Sequence, residues 1–541
     1  MKLTALSKVM ITLALLAAGA GAAYQVTNAI SEEGATPAKG STASEGGVIL
    51  ADGPSIGSES NPLKVSIVTF SGYAPLLVAN GDSLKTEDGS IFEKGGVHVE
   101  ALLQDDVPPL AALFEGNVAH CAWRTTDALP PEIANLRNAG HDARVILAVD
   151  NTRGADGIVT TDPSVKTIED LSGKDVALLQ YTPSHGLLEF ALENSALTAR
   201  QRAAVKPVFI NIEEGTAGVR AALQSGAVKS AVLWDPDLTL AVKSGARVIY
   251  NTSTASDLIY DVMVCDQRVL SNPKNEAAIQ AFVSGWLEGT KVVEANPERG
   301  VKALVKTEPA FKLLADQAGE GFIKELFQRL NLMDLSENLR LFGVGVDRSQ
   351  FATIFKTFDE VYRKAGALAN PNSPVVNPSD VLDLRFLKVL ATADTGATEK
   401  AKKPLHVFET SHVTSSEDAV VTKPVNINFA TGEATLNRRA QKMLDEVTDV
   451  LDMNGSSYVV VSGHTDSTGS ANANKKLSIQ RAQVVVDYFV TQWSFDPARF
   501  KAEGHGSSRP ICDEKDPEAL GLTMAECLEV NRATRIAIVP R

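Results

Sequence analysis

From Lys64 to Tyr250, short runs of β-branched and apolar residues recur between longer stretches with helical spacing. That alternation restricts the fold more than any other feature of the chain. The strand candidates are residues 65–68, 97–99, 145–149, 176–179, 208–210, 231–233 and 248–250. Strands separated by helices predict an α/β domain with mainly parallel sheets. Residues 281–365 are richer in helical pattern and are expected to pack onto it. Hydrophobic residues make up 44% of the sequence and charged residues 22%, enough apolar material to bury such cores.

Open α/β sheets bind ligands at the ends of their strands, so the turns there supply the candidate solute-binding residues. These are Ser71, Gly72 and Tyr73, then Trp123 and Thr125 around Arg124, then Thr182, Ser184 and His185, and finally Trp234 before Asp235. Thr182 or Ser184 is expected to cap a helix beginning near Leu187, whose free N–H groups suit an anion. The order of Ser71-Gly72-Tyr73-Ala74-Pro75, Leu171-Ser172-Gly173-Lys174-Asp175-Val176-Ala177, Thr182-Pro183-Ser184-His185 and Trp234-Asp235-Pro236 resembles the periplasmic solute receptors of ABC importers for nitrate, sulfonates, taurine and thiamine precursors. The resemblance covers residues 63–390. It implies a two-lobed clamshell with crossings near 151–157 and 252–261, and a small solute held between the lobes. An anionic or zwitterionic solute is expected, Asp235 weighing against a small pure anion. An inner-membrane ABC permease is the partner such a receptor implies. Cys121 and Cys265 fall in the first lobe, as a disulfide or as buried thiols.

A second pattern lies near the C-terminus. An apolar run at 458–461 leads into Gly463-His464-Thr465-Asp466-Ser467-Thr468-Gly469, followed by Asn474 and by Leu477-Ser478-Ile479-Gln480-Arg481-Ala482. Asn474, Ser478 and Arg481 share one helix face. A loop carboxylate beside a helix guanidinium matches the two charges of a zwitterion. This motif resembles the peptidoglycan-binding domain of the OmpA-like family, and Asp466 and Arg481 keep that family's spacing of 15 residues. The resemblance covers 423–541 and implies a smaller α/β domain. Its edge strand is expected at 425–429, and its peptidoglycan-binding residues are Asp466, Arg481, Thr465, Asn474 and Arg532. They would grip the free amino-acid end of diaminopimelate in the stem peptide. Ala533 replaces the second arginine of the closing motif, and the preceding loop is expanded. A Cys512–Cys527 disulfide is expected to close it, and its acidic run from Asp513 to Glu518 reads as a solvated face.

Lys2 and Lys8 flank an apolar run that ends in Ala20-Gly21-Ala22, the pattern of a secretory signal peptide or, uncleaved, a membrane anchor over 1–26. Residues 27–62 and 391–422 read as linkers. A formal net charge of −14 without a basic run argues against nucleic acid. Eight scattered histidines and four cysteines show no metal-ligand spacing, and no phosphate-binding loop motif occurs, so no metal or cofactor is expected. The reading is a non-enzymatic periplasmic protein, fixed to peptidoglycan, with a solute-binding clamshell. The rival is an envelope scaffold or sensor whose clamshell is an interaction module.

Overall fold

The computed structural model describes residues 53–104, 114, 116–368, 370–409, 415–425, 427, 429, 433–520 and 522–541. The signal or anchor segment and most of the first linker lie outside the described residues. In chain order the first strands are β1 (Leu63–Ile67), β2 (Val99–Leu103), β3 (Cys121–Thr125), β4 (Ala143–Thr152), β5 (Asp156–Thr160), β6 (Asp175–Leu179), β7 (Lys206–Ile210), β8 (Ser230–Trp234), β9 (Arg247–Asn251), β10 (Tyr260–Asp266) and β11 (Leu330–Leu332). They build a six-stranded sheet in the order β11-β4-β10-β3-β1-β2 and a five-stranded sheet in the order β7-β6-β8-β5-β9. The chain leaves the first sheet between β4 and β5 and returns between β9 and β10. These are the two crossings of a clamshell, at the places expected from the sequence.

The sheets are more mixed than the strand–helix alternation predicts. β1 runs parallel to β2 and β3, and β6 runs parallel to β7 and β8. The strands next to the crossings are antiparallel, β10 to both β3 and β4, and β5 to both β8 and β9. A strand re-entering a sheet from the other lobe runs against its neighbours. β3, β5 and β10 have no counterpart among the sequence candidates, because Trp-Arg-Thr, Asp-Gly and Tyr-Asp interrupt their apolar runs.

Cys121 and Cys265 face each other in the antiparallel register of β3 and β10, and they are joined with Cα atoms 4.0 Å apart. The alternative left open by the sequence resolves as a disulfide. Cys512 and Cys527 are also joined, as expected.

The C-terminal sheet contains β12 (Val421–Val425), β13 (Tyr458–His464), β14 (Phe500–Gly506) and β15 (Thr534–Val539) in the order β12-β15-β13-β14. The edge strand thus begins earlier than expected, and Val425 is its last residue rather than its first; Asn426 and Asn428 lie outside the described residues. The second linker also differs. Its first part continues the Arg385–Ala393 helix and forms another, Thr395–Ala401. Arg340 fastens this helix by donating to the carbonyls of Lys400, Ala401 and Lys403.

The described residues from Gly53 onward pack as one unit. The Gln350–Lys364 helix touches the Leu129–Asn138 helix of the first lobe, the Pro183–Glu193 helix of the second and the Arg438–Met453 helix of the C-terminal domain. Its Phe351, Phe355, Phe358 and Tyr362 are fully buried at helical spacing. The turn after the Arg438–Met453 helix grips the return crossing. Ser456 N donates to Ser256 Oγ at 2.9 Å, Ser457 Oγ to the Thr254 carbonyl at 2.9 Å, and Tyr250 Oη to Asn454 Oδ1 at 2.9 Å. A Cβ on Gly455 would stand 1.9 Å from Asp257 Oδ2, so only glycine allows this approach.

The two disulfides close loops of very different length, 144 and 15 residues in sequence separation. Loop-closure entropy assigns about 5 kcal/mol to the first and about 3 kcal/mol to the second. The Cys121→Ala/Cys265→Ala variant is therefore expected to lose more stability than Cys512→Ala/Cys527→Ala. Denaturant unfolding of both variants checks this; equal losses would mean that the shorter bridge acts on the folded loop rather than through the unfolded chain.

Candidate functional sites

The lobe junction is assembled from the strand-end turns and the crossing strands. Ser71, Gly72 and Tyr73 form a buried 3-10 turn after β1. Tyr73 donates its hydroxyl to Asp261 Oδ2 at 3.3 Å. Asp261 lies opposite Thr125 on one side and Asp150 on the other in the antiparallel register. Trp123, in β3, lies near the Asp261 carboxylate, with its indole N–H buried and without a hydrogen-bond partner. A Cβ at Gly72 would fall 1.8 Å from Asp150 Oδ2, so the glycine leaves the room that this carboxylate fills. From the second lobe, Gly186 in the Pro183–Glu193 helix lies close enough to Asp127 that a Cβ there would be 2.6 Å from its Oδ2. The two lobes thus meet at Asp127.

The remaining sequence candidates divide. Thr182 occupies the N-cap position of that helix, but its hydroxyl donates to the Leu179 carbonyl at 2.8 Å instead of capping. Ser184 does not cap either; it is buried in the first turn with its Oγ unpartnered. His185 packs among the rings of Tyr181, Phe209 and Tyr362, with Nδ1 accepting from Tyr181 N at 3.3 Å. Trp234 ends β8 and packs into the second lobe's apolar cluster. Arg124 is engaged locally, by Glu132 and the Trp123 carbonyl.

Sequence reasoning missed the acidic residues that dominate this junction. Asp127, Asp150, Asp156 and Asp261 are each at most 3% exposed. Burial pushes Asp127 up to about 6 and the other three well above the ordinary range, with neighbouring carboxylates adding to the rise. Burial also raises Asp235 to about 6, although Thr239 and Arg329 draw it down. Their sequence signal was weak because each acid stands singly beside an apolar run. A group of buried carboxyls without a cationic partner does not fit the purely anionic half of the expected solute class.

The C-terminal site is built on close backbone packing. A Cβ at Gly463 would stand 2.1 Å from the Ser478 carbonyl, and one at Gly504 would stand 2.5 Å from Ile479 N. Two glycines thereby seat the Ala471–Trp493 helix directly on β13 and β14. Ser478 Oγ accepts from Gly506 N at 2.9 Å. Asp466, at the loop after β13, accepts from Thr468 N at 3.0 Å and from Arg532 Nη1 at 2.7 Å. Asn474 braces the loop by donating to the carbonyls of Asp466 and Thr468 at 3.3 and 3.0 Å. Thr465 donates from its hydroxyl to the Asp466 carbonyl at 3.0 Å and from its backbone to Gly506 O at 3.0 Å.

Arg481 donates Nε to the Glu433 carbonyl at 3.0 Å and lies over the Phe429 ring, 4.8 Å from its centroid. Burial and then Arg532 lower its basicity, while Asp466 raises it. All five expected residues therefore gather at one place, with Arg532 rather than Arg481 as the direct partner of Asp466. The expanded loop also belongs to the site. Glu514 bonds the hydroxyl of Ser467 and its N–H, and Asn531 donates to Glu514 at 3.0 Å. Glu514 is thus not merely part of a solvated face.

The junction carboxyls carry a pH signature. Each holds its proton more tightly in the folded chain than in the unfolded one. Its contribution to stability is present at low pH and lost as pH rises through the folded value, about 6 for Asp127 and Asp235. His120 and His464, pushed down to about 4 chiefly by burial, act in the opposite sense, but only below the ordinary imidazole range. Between about pH 8 and about pH 6.5 the carboxyls dominate, so the dialysed protein is expected to melt at higher temperature as pH is lowered. Calorimetric scans across that interval check the sign; a flat or falling melting temperature would mean that the charges are already neutralised within the fold.

Residues 428–520 match the OmpA family model. Among curated proteins, the chain is similar to Motility protein B of Bacillus subtilis (strain 168), 26% identical over 222 residues, covering 36% of this chain and 81% of that protein. It is also similar to Outer membrane protein P5 of Haemophilus influenzae, 36% identical over 128 residues; these cover 22% of this chain and 35% of that protein, so it spans about a third of P5. Among solved structures, the periplasmic aliphatic sulphonate binding protein SsuA from Escherichia coli aligns with 61% of this chain and 98% of its own, at 17% identity and a TM-score of 0.45. On its family match and its own topology, the chain carries an OmpA-family domain behind a two-lobed α/β clamshell.

Proposed function

We propose that this is a non-enzymatic periplasmic protein that binds a small solute between the lobes of its clamshell and is held to peptidoglycan by its OmpA-family domain. The observation that carries the wall-binding part is the convergence of Asp466, Arg481 and Arg532 on one loop–helix corner. The diaminopimelate terminus offers an ammonium and a carboxylate. Asp466 takes the ammonium, and the half-exposed Arg532 shifts from that carboxylate to let it in. Arg481, oriented by Phe429 and the Glu433 carbonyl, forks onto the ligand carboxylate. Thr465 and Asn474 hold the loop in shape, so the site requires little reordering on binding.

Two crossings that allow hinge motion, with buried polar groups left unpartnered where the lobes meet, support the solute-binding part. An exported chain working with an inner-membrane permease is consistent with this reading. A second reading, a wall-bound sensor, is favoured by one observation. The turn 453–457 of the wall-binding domain is bonded to the return crossing, which does not suit a receptor that diffuses freely to a permease.

Asp466→Ala and Arg481→Ala each remove a charge-assisted contact of about 1.5–3 kcal/mol. Co-sedimentation of the full chain with purified sacculi is expected to weaken by about tenfold or more in each variant. Folded variants that sediment like the wild type would remove the assignment.

A further inference from the structure

The lobe junction has a charge problem that the protein does not solve with its own residues. Asp150 lies near the end of β4 (Ala143–Thr152) and Asp156 starts β5, on either side of the first crossing; Asp261 follows Tyr260 at the start of β10 after the second. Asp127 reaches the same region from the turn after β3. Both Asp150 oxygens are buried without a hydrogen-bond partner. Among the described residues, no lysine, arginine or histidine is ion-paired with Asp127, Asp150, Asp156 or Asp261. Arg329 pairs with Asp235 at 3.7 Å, and Arg153, inside the first crossing, acts at a distance on Asp257 while two of its guanidinium nitrogens are buried without a hydrogen-bond partner.

Ionised carboxylates withdrawn from water cost several kcal/mol each unless a counter-charge or a proton accompanies them. Asp127, Asp150 and Asp261 belong to the first lobe and Asp156 to the second, and Asp156 feels the first-lobe carboxyls across the crossing. Opening the lobes admits water and lowers the cost, whereas closing them requires something positive in between. Among the described residues, no group of three acidic, histidine or cysteine side chains converges as a metal site. The positive charge must therefore be spread out, with donors aimed at several carboxylates. Tyr73 and Trp123 add aromatic surface beside them, suited to the methylene groups of an organic cation.

We propose that the clamshell closes on a small organic polycation of the diamine or polyamine class, with Asp127, Asp150, Asp156 and Asp261 as its charge partners. This rests on the solute-binding reading above and names the class of that solute. Binding replaces the protons on the carboxyls with ammonium groups, so affinity rises with pH until the carboxyls are ionised.

Calorimetric titration and thermal shift of the full chain with putrescine, spermidine, calcium chloride and sodium ethanesulfonate, at about pH 7.5, test this. Spermidine and putrescine are expected to bind and to raise the melting temperature. Asp150→Asn and Asp127→Asn are expected to weaken amine binding by about tenfold or more. Ligand-free Asp150→Asn is expected to melt at or above the wild-type temperature, because an acid whose ionisation burial opposes is replaced by a neutral amide; a merely structural carboxylate would give the opposite. Lowering the wild type to about pH 5.5 is expected to weaken binding as protons compete. Amine binding that ignores both variants and pH, or binding of calcium alone, overturns the inference. Binding of ethanesulfonate alone overturns it but keeps the solute reading. Absence of binding by every one of these probes removes both.

Discussion

The buried carboxylates at the lobe junction are the constraint on which the clamshell depends. Asp150 lies near the end of β4, Asp156 and Asp261 at the starts of β5 and β10, and Asp127 in the turn after β3, so three of them stand on the strands that form the joint. Gly72 has to lack a side chain because Asp150 lies against it, and Gly186 because Asp127 does. Tyr73 has to carry its hydroxyl because Asp261 needs a donor. The closed arrangement is held against this repulsion by apolar packing, notably by the Gln350–Lys364 helix. Its Phe358 and Tyr362 close over the helix that opens the second lobe, and Tyr362 donates to the Thr182 carbonyl at 3.1 Å. Binding sites commonly store such imbalance, because residues arranged for a ligand are not arranged for their own stability.

The C-terminal domain meets the same electrostatic demand in the opposite way. Its Asp466 has a guanidinium partner and a backbone donor already in place, and its loop is braced from three sides. The corner is preformed, its charges already satisfied within the fold. Two glycines on neighbouring strands permit it, by bringing the helix backbone onto the sheet so that Asn474, Ser478 and Arg481 all reach the loop.

Much of the architecture was legible because parallel strands buried on both faces form continuous β-branched runs. The same logic explains what was not legible. β3, β5 and β10 carry Trp123, Asp156 and Asp261 inward, and those polar or bulky residues break the pattern that marks a strand. The site acids were hidden for the same reason, since a single Asp at a strand end is indistinguishable in sequence from an ordinary turn residue. The residues of the C-terminal loop–helix corner stood out because spacing, loop glycines and helix face all agreed. Arg532 was found from the closing motif, but its pairing with Asp466 depends on β15 returning beside β13, a long-range register that local pattern does not contain. The supposed second linker was misjudged from its small and charged residues. These also suit a short helix once Arg340 and the Asp334–Lys400 ion pair hold it down.

The turn at 453–457 has a mechanical consequence. Its hydrogen bonds fall on the return crossing itself, and behind it Arg499 donates to the carbonyls of Ser457, Leu451 and Asn454, stiffening the turn against its helix. A load applied to the C-terminal domain is therefore delivered in shear to the segment that must twist when the lobes part, rather than dissipated along a slack tether. A chain held by the wall at one end would feel stretching of that wall as a torque on its own hinge.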